Sequence, residues 1–300
     1  MGLVQQEKII ARGVIPAVSE NGLGPRLTLI ENEAHKLLEE NNIGRESVRG
    51  VGLSIPGIID VNAMKVLDIN DKYNDIMKLN LPEWAKSAWG IPFVMEGDAR
   101  SALVGTWQYG SGKGFNNLVL ITLGTGIGSA VIFGGQVLYG KHFQAGILGG
   151  HFIVDLNGNK CNCGNVGCAE AHASSWQLPK LIREHQLFES SKFKDASNLN
   201  FETCFNLANE GDECALSIRN YCIDVWSTVV INMIYAYDPE MVILAGGVMK
   251  SAEVIMPTVQ QKINEMAWTP SGQVKIVKEE HMDDAALLRL DYLLKKRYNL

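Results

Sequence analysis

The sequence predicts an α/β protein whose sheets are at least partly parallel. Short apolar runs at 51–55, 117–122 and 241–244 alternate along the chain with segments of helical periodicity. Strands that alternate with helices in this way are typical of sheets with parallel connections. Several of the runs also end in glycine-rich turns, and the ends of strands are where α/β proteins place reactive and binding groups. The ends of these strands are therefore the predicted place of the functional groups.

Composition excludes several classes of protein. The chain has 300 residues, of which 46% are hydrophobic, and this is enough for one large or two medium domains. The net charge of −6, without a run of lysine or arginine, predicts that nucleic acid is not a partner. The opening MGLVQQEKII lacks the pattern of a signal peptide, and the most apolar helix, 225–237, is too short to span a membrane. We expect a cytoplasmic protein without a membrane partner.

Periodicity and turn signals predict the order of elements in both halves of the chain. The first half is predicted to contain a hairpin in 1–16, a helix in 27–41, a strand in 51–55, a helix in 81–89, a strand in 93–95 and a helix that begins near Asp98. The second half is predicted to contain strands in 117–122, 129–133 and 151–154, helices in 176–187, 201–209 and 213–237, a strand in 241–244, a helix to Met266 capped by Ser251, and a final helix in 284–296.

Three cysteines and a histidine lie close together in the stretch 144–175, namely His151, Cys161, Cys163 and Cys168. Thiolates and imidazole at four tetrahedral corners are the usual ligands of structural zinc. Asn157-Gly158 is a hairpin-type turn that returns the chain toward His151. The alternative is that the cysteines are buried small hydrophobes or form a disulfide, and zinc is the preferred interpretation. Cys204, Cys214 and Cys222 are instead predicted to be core thiols.

Glycines follow two of the predicted strands. Leu123-Gly124-Thr125-Gly126-Ile127-Gly128 lies between strands, whereas a dinucleotide fingerprint leads from a strand into a helix. Such a turn can bring backbone N–H groups and the Thr125 hydroxyl against phosphate oxygens, and an ordinary hairpin is the alternative. Ala245-Gly246-Gly247 suits either tight packing or a flat base that lies on the backbone. Ser111 stands where a Walker loop requires lysine, so residues 105–114 are not such a loop.

Two carboxylates each have two interpretations. Asp98 follows a buried strand and precedes a helix, so it is either a helix N-cap or a general base that accepts a proton from a hydroxyl nucleophile. Glu170 comes two residues after Cys168. It is either a solvated charge or a carboxylate that the metal loop holds against sugar hydroxyls.

Taken in order, these segments resemble the ROK family, which groups bacterial sugar kinases with sugar-responsive repressors. The resemblance covers nearly the whole chain and is most specific at C-x-C-G-x-x-G-C-x-E, residues 161–170. It implies an actin-like and hexokinase-like, ribonuclease H-like ATPase fold with two lobes. The N-terminal lobe would be residues 1–106 joined by the C-terminal helix 284–300, and the C-terminal lobe would be residues 107–283.

The resemblance also implies a function, namely ATP-dependent phosphorylation of a hexose by a glucokinase-like homodimer or homotetramer built from the C-terminal lobe. It implies Asp98 as the catalytic base and structural zinc on His151, Cys161, Cys163 and Cys168. It implies that ATP with Mg²⁺ is held by Gly124, Thr125, Gly126 and Gly128 and by the adenosine motif Gly246-Gly247. The implied sugar contacts are Gly57, Gly97, Asp98, His151 and Glu170, so that His151 would serve both metal and sugar.

Three departures from the family pattern leave an alternative function. Family members usually begin with a strand and a D-x-G-G-T turn that binds phosphate, whereas this chain starts at the place of the second strand, and we expect an incomplete N-terminal lobe. Gly97 replaces the usual Asn, and Leu148-Gly149-Gly150-His151 replaces E-x-G-H. The alternative is a catalytically impaired or non-catalytic sugar-binding protein, a sensor or regulator. A repressor should carry an N-terminal helix-turn-helix, for which the opening residues leave no room.

Overall fold

The computed structural model describes residues 1–69, 72–279 and 282–300, with only the backbone of 282 and 283. The strands are β1 (Gly2–Gln5), β2 (Lys8–Arg12), β3 (Val51–Ile55), β4 (Ile58–Asp60), β5 (Lys65–Asp68), β6 (Phe93–Gly97), β7 (Leu118–Leu123), β8 (Ile127–Phe133), β9 (Gln136–Val137), β10 (Met241–Ala245) and β11 (Lys275–Lys278). The helices are α1 (Leu27–Glu40), α2 (Leu81–Trp89), α3 (Asp98–Tyr109), α4 (Glu170–Ala173), α5 (Leu178–Arg183), α6 (Phe201–Asn209), α7 (Glu213–Tyr237), α8 (Ala252–Met266) and α9 (Met282–Tyr298).

Contacts between residues divide the chain into two units. The first unit contains Met1–Lys113, Tyr139–Ala145 and His281–Leu300, and the second contains Gly114–Leu138 and Gly146–Glu280. These units group residues 107–113 and 139–145 with the N-terminal part, whereas we predicted 107–283 as one lobe. The boundaries of the functional lobes stay a prediction.

The second unit is built on a five-stranded sheet with the order β11-β10-β7-β8-β9. Strand β7 is parallel to β10, and its other neighbour β8 is antiparallel. The runs 118–123 and 241–245 are almost entirely buried because they form the middle of this sheet, where unbroken apolar sequence is expected. Since β7 and β10 run parallel, with Thr122 opposite Ala245, both strands end at the same edge of the sheet.

The first unit contains the hairpin β1–β2, the parallel pair β3–β6 and the antiparallel pair β4–β5. Its core joins Val94 and Met95 of β6 to Leu290 of α9. Strand β3 approaches α9 closely, because a Cβ on Gly52 would lie 2.6 Å from Leu290 Cβ. All five residues of β6 are buried, and α3 begins at the next residue, so a rigid strand carries Asp98.

The structure confirms, within a few residues, the predicted glycine-flanked strands, the N-terminal hairpin and the helices α1, α2, α6, α7 and α9. The strand predicted for 151–154 is wrong. The chain there forms a 3-10 turn, Gly149–His151, followed by a single bridge between Ile153 and Cys168. The facing segment contains Gly167 at φ +77°, a conformation that ends extended pairing.

Two helix predictions also need correction. Helix α5 covers only Leu178–Arg183 rather than 176–187. Pro179 fits the first turn of this helix, whereas a start at Trp176 would place the proline where its missing N–H is needed. Helix α8 begins at Ala252 as expected, but the Ser251 side chain makes no capping bond to a described residue. No helix within the described ranges is long and apolar enough to cross a membrane.

Candidate functional site

The glycine turn, residues 124–128, joins β7 to β8 at the edge of the sheet. Leu123 pairs with Ile127 across it, and the Gly124 N–H donates to Gly126 O at 3.0 Å. Thr125 is exposed, and a Cβ on Gly124 would meet no described atom within 4 Å. The strand–turn–strand arrangement predicted from the sequence is confirmed, and there is room for a ligand beside its backbone.

Gly246 packs against the strand that leads into the glycine turn. Its φ is +99°, and a Cβ there would lie 2.3 Å from Leu123 O, so both the backbone conformation and the close approach require glycine. A Cβ on Gly247, by contrast, would meet none of the described atoms within 4 Å. The two predicted nucleotide-binding segments of this unit therefore lie side by side, with open space at Gly124 and Gly247.

The ligand atoms of His151, Cys161, Cys163 and Cys168 all lie within 4.8 Å of one another. Cys161 Sγ is 3.7 Å from His151 Nδ1, and Cys163 Sγ is 3.7 Å from Cys168 Sγ. Thiolates at tetrahedral corners about 2.3 Å from a zinc ion would be separated by about 3.8 Å. The donor set and its dimensions therefore fit a tetrahedral metal ion.

Backbone hydrogen bonds shape the loop that carries these cysteines. Cys161 N–H donates to Asn165 O at 2.8 Å, and Gly164 N–H donates to Cys161 O at 3.0 Å. Gly164 adopts φ +92°, which folds the loop back on itself. Burial raises the pKa of Cys168 to about 12, so a bound cation would have to displace the thiol proton.

Glu170 is buried, with 7% of its surface exposed, so the interpretation as a solvated charge is wrong. Its Oε2 accepts a hydrogen bond of 2.8 Å from the Ile127 N–H. A Cβ on Gly126 would lie 2.4 Å from the same oxygen. The carboxylate therefore packs directly against the glycine turn.

The two residues before His151 pack against the glycine turn and the start of the strand that follows it. A Cβ on Gly150 would lie 2.0 Å from Ile127 O, and the Gly149 N–H donates to Ser129 Oγ at 2.8 Å. The second unit thus brings together the predicted metal ligands, the predicted phosphate loop and Glu170.

In the first unit, Asp98 is exposed at the end of the buried strand β6. Gly97 occupies the N-cap position, and Asp98 Oδ1 accepts from the adjacent Ala99 N–H at 2.7 Å. A capping side chain accepts from an N–H two or three residues further on, so this geometry does not support the N-cap interpretation. The protein around the carboxyl raises its pKa by desolvation, opposed by the Ala99 N–H and Lys72. The residue as a whole keeps exposed surface, so solvent still reaches Asp98.

Gly57 and Gly97 lie close to one another beside Asp98. A Cβ on Gly97 would be 3.8 Å from Gly57 O. Gly57 has φ +114°, and a Cβ there would lie 2.5 Å from Asp68 O, so its position requires glycine. Three predicted sugar-contacting residues are therefore neighbours in the first unit.

A buried network surrounds Glu96, the residue before Gly97, and it was not predicted from the sequence. Glu96 is fully buried, and its Oε1 accepts from the Gly97 N–H at 2.9 Å. Its Oε2 accepts from the Tyr139 hydroxyl at 2.5 Å and lies 3.7 Å from Arg289. A charged residue at the end of an otherwise apolar strand was the one signal in the sequence that this carboxylate has partners.

Arg100 holds the segment that contains Tyr139. It donates to Phe143 O and Ala145 O at 3.0 Å each, and its guanidinium lies 4.6 Å from the centre of the Tyr139 ring. The segment 139–145 is thereby attached to the strand and helix that carry Asp98.

Comparison with solved structures tests the predicted fold. The chain is similar to a ROK family glucokinase from Streptomyces griseus in complex with glucose and AMPPNP, with a TM-score of 0.77, 22% identity, and coverage of 98% of this chain and 95% of that one. The predicted actin-like ATPase fold is thereby confirmed.

The sequence profile of the ROK family matches residues 27–297. The chain belongs to the ROK family. It is 30% identical to a glucokinase from Thermotoga maritima over 310 aligned positions, which cover 99% of this chain and 94% of that protein. It is also 26% identical to a xylose repressor from Bacillus spizizenii, over 74% of this chain and 54% of the repressor.

Proposed function

We propose that this chain is an ATP-dependent sugar kinase of the glucokinase type. The observation that carries the proposal is its similarity to the Thermotoga maritima glucokinase, which extends along nearly all of both chains. The solved Streptomyces griseus relative, with glucose and AMPPNP bound, supports the same pair of substrates.

Asp98 is the proposed general base. In sugar phosphorylation a carboxylate accepts the proton of the hydroxyl that attacks the γ-phosphorus, and most of the remaining catalysis is positioning and charge stabilisation. Asp98 is accessible, and Glu96 fixes the backbone N–H of the residue before it. Gly57 and Gly97 are the proposed sugar contacts beside it.

The second unit contributes the proposed metal and nucleotide contacts. His151, Cys161, Cys163 and Cys168 would hold a structural zinc ion through His151 Nδ1 and the three thiolates. His151 Nε2 and Glu170 are the proposed sugar contacts of this unit. The turn residues Gly124, Thr125, Gly126 and Gly128, with Gly246 and Gly247, would hold the nucleotide. ATP with Mg²⁺ would supply the γ-phosphoryl group.

A coupled assay tests the proposal. The purified chain is incubated with ATP, Mg²⁺ and, in turn, glucose, mannose or xylose, and ADP release and the phosphorylated sugar are measured. We expect sugar-dependent ADP release with at least one hexose. The assay includes any longer polypeptide encoded in frame upstream, because members of the family usually begin with a strand and a D-x-G-G-T turn that binds phosphate.

A non-catalytic sugar-binding protein, a sensor or regulator, is the second candidate. The similarity to the xylose repressor favours it, as do Gly97 and Leu148 at positions where the family usually has polar sugar ligands. This candidate predicts sugar binding by calorimetry with no phosphorylated product in the assay above.

A further inference from the structure

A single helical turn, α4, connects the metal-binding loop to the glycine turn. It begins two residues after Cys168, and its first residue, Glu170, accepts the hydrogen bond from the Ile127 N–H at 2.8 Å. The segment that follows α4 binds the same turn, since Ser175 N–H donates to Gly124 O at 3.0 Å and Trp176 N–H donates to Thr125 O at 3.3 Å. The glycine turn is thus held at three points by one short stretch of chain.

The other side of α4 holds the metal-binding loop. His172 Nε2 accepts from the Asn159 N–H, and the Asn159 side chain donates to Ala171 O, each at 3.2 Å. His172 Nδ1 lies 2.5 Å from the Tyr221 hydroxyl on α7. Because Nε2 accepts a bond in the neutral ring, Nδ1 carries the proton and donates to Tyr221. Helix α4 therefore has fixed contacts to the metal loop, to α7 and to the glycine turn.

We propose that Glu170 is a positioning residue, whose Oε2 fixes the glycine turn in the conformation that binds nucleotide phosphate. A buried N–H needs an acceptor, and a charged acceptor forms a stronger bond than a neutral one. The turn itself contains two bare glycines around Thr125, so it has little intrinsic preference for one conformation. The inference rests on the proposed function, because the phosphate ligand of the turn is proposed there.

The positioning role differs from the sugar contact proposed for the same residue. A residue that only binds sugar affects sugar affinity, whereas a residue that holds the turn affects nucleotide affinity when no sugar is present. The experiment therefore measures AMPPNP binding by calorimetry without sugar. For Glu170→Ala we expect roughly tenfold weaker binding, the scale for losing a hydrogen bond to a charged group. Glu170→Gln keeps an amide oxygen for the Ile127 N–H, so we expect its affinity to stay within about threefold of the unaltered chain.

Glu240→Ala is the matched control. Glu240 Oε2 accepts from the backbone N–H groups of Asn116 and Asn117 at 2.7 and 2.8 Å, at the opposite end of β7 from the glycine turn. It makes the same kind of bond in the same unit, so Glu240→Ala should change stability while leaving AMPPNP affinity unaltered.

Gly126→Ala tests the same contact from the other side and serves if Glu170→Ala does not fold. Its methyl group would lie 2.4 Å from Glu170 Oε2 and would displace the carboxylate. We expect weaker AMPPNP binding, comparable to that of Glu170→Ala. In the double variant the clash is gone, so the two losses should not add, as is usual for residues in contact.

Three results distinguish the positioning role of Glu170 from the proposed kinase function. Loss of AMPPNP affinity in Glu170→Ala and Gly126→Ala that does not add in the double variant, with no loss in Glu240→Ala, supports the positioning role, whereas losses that add contradict it. AMPPNP affinity within twofold of the unaltered chain in folded Glu170→Ala, or in Gly126→Ala, overturns that role and leaves the kinase proposal intact. Failure of the unaltered chain to bind AMPPNP at all overturns the nucleotide part of the proposed function, and this inference with it.

Discussion

At the scale of single residues, Glu96 shows how a charge is stabilised inside the first unit. The carboxylate has no exposed surface, and it accepts from Gly97 and Tyr139 while lying 3.7 Å from Arg289. Burial of a charge is unfavourable unless it is paired and hydrogen-bonded, and these three partners meet that condition. Removing any one of them should therefore destabilise the unit.

Tyr139→Phe tests this dependence. The variant leaves one oxygen of a buried carboxylate without its hydroxyl donor, so we expect a loss of about 1–3 kcal/mol in the free energy of unfolding. Tyr298→Phe is the control, because the Tyr298 hydroxyl donates at 3.0 Å to a neutral acceptor, Phe93 O. Urea denaturation of both variants gives the comparison. An equal or larger loss in Tyr298→Phe would contradict the importance of the Glu96 network.

The raised pKa of Asp98 predicts a shifted acid limb in the rate profile. A base works only when deprotonated, so activity falls as the pH drops through the pKa, and desolvation places this fall above the ordinary range of an aspartate. The effect of this raised pKa on the free energy of unfolding is opposite in sign to that of a salt-bridged carboxylate, whose pKa is lowered. A raised carboxyl pKa disfavours folding at neutral pH and ceases to do so as the pH falls through it.

The measurements are kcat/KM and urea stability as functions of pH. Asp98→Asn should be at least as stable as the unaltered chain at pH 7, and the difference should shrink in acid. An acid limb at or below the ordinary aspartate pKa would contradict the expected shift.

At the scale of elements, the metal loop gives the most local prediction. The purified chain should carry about one zinc ion, because four suitable ligand atoms converge. Cys163→Ser should reduce the bound zinc to below about a tenth of an ion per chain and lower the melting temperature by more than about 5 °C, because metal binding contributes to folding. Cys163 is an exposed residue, so the variant loses little core packing and the effect reports the metal.

Cys204→Ala is the control for this variant, because Cys204 is a buried thiol outside the cluster. It should destabilise the chain while keeping the zinc. Metal analysis that finds no zinc in protein never exposed to a chelator would remove the basis of the zinc assignment.

The predictability of the elements depended on length and on local signals. The 25-residue helix α7 and the glycine-flanked strands have periodicity or turn chemistry that the sequence displays directly. Helix α4 has four residues and β11 has four, KIVK, so neither is long enough to show a period. The segment 152–154 has the alternation of a strand, but the conformation of Gly167 in its partner limits the pairing. Such an effect arises from a contact with another segment, so the local sequence pattern of 152–154 does not show it.

At the scale of the whole molecule, we predict association into a dimer or tetramer through the C-terminal lobe. Tyr235, Met266 and Trp268 are 55%, 61% and 81% exposed, and the Tyr235 hydroxyl binds the backbone of the other two residues. Exposed tryptophan and tyrosine are typical of contact surfaces between subunits. Light scattering at micromolar concentration should give at least twice the mass of one chain.

Trp268→Glu should weaken this association by at least about tenfold, since aromatic residues dominate the energy of many interfaces. Val14→Glu is the control, because Val14 is 91% exposed but lies in the first unit. A monomer at micromolar concentration, or equal effects of the two variants, would contradict the prediction.

The site could be predicted from sequence only where its residues are near one another along the chain. The metal ligands lie within eighteen residues, from His151 to Cys168, so their spacing indicated the cluster. The contacts of Glu170 with Ile127 and of Glu96 with Tyr139 each join residues 43 positions apart. Nothing in either segment specifies its partner, and the fold alone brings them together.

The effect of Asp98→Asn on phosphoryl transfer is the measurement that tests the central claim most directly. The chain, or any longer polypeptide encoded in frame upstream, is assayed for kcat with ATP and the preferred hexose, and sugar affinity is measured by calorimetry. We predict that kcat falls by roughly two to four powers of ten, the scale of a lost general base, while sugar affinity stays within a few fold. Unchanged kcat in Asp98→Asn would contradict the assignment of Asp98 as the base and with it the mechanism.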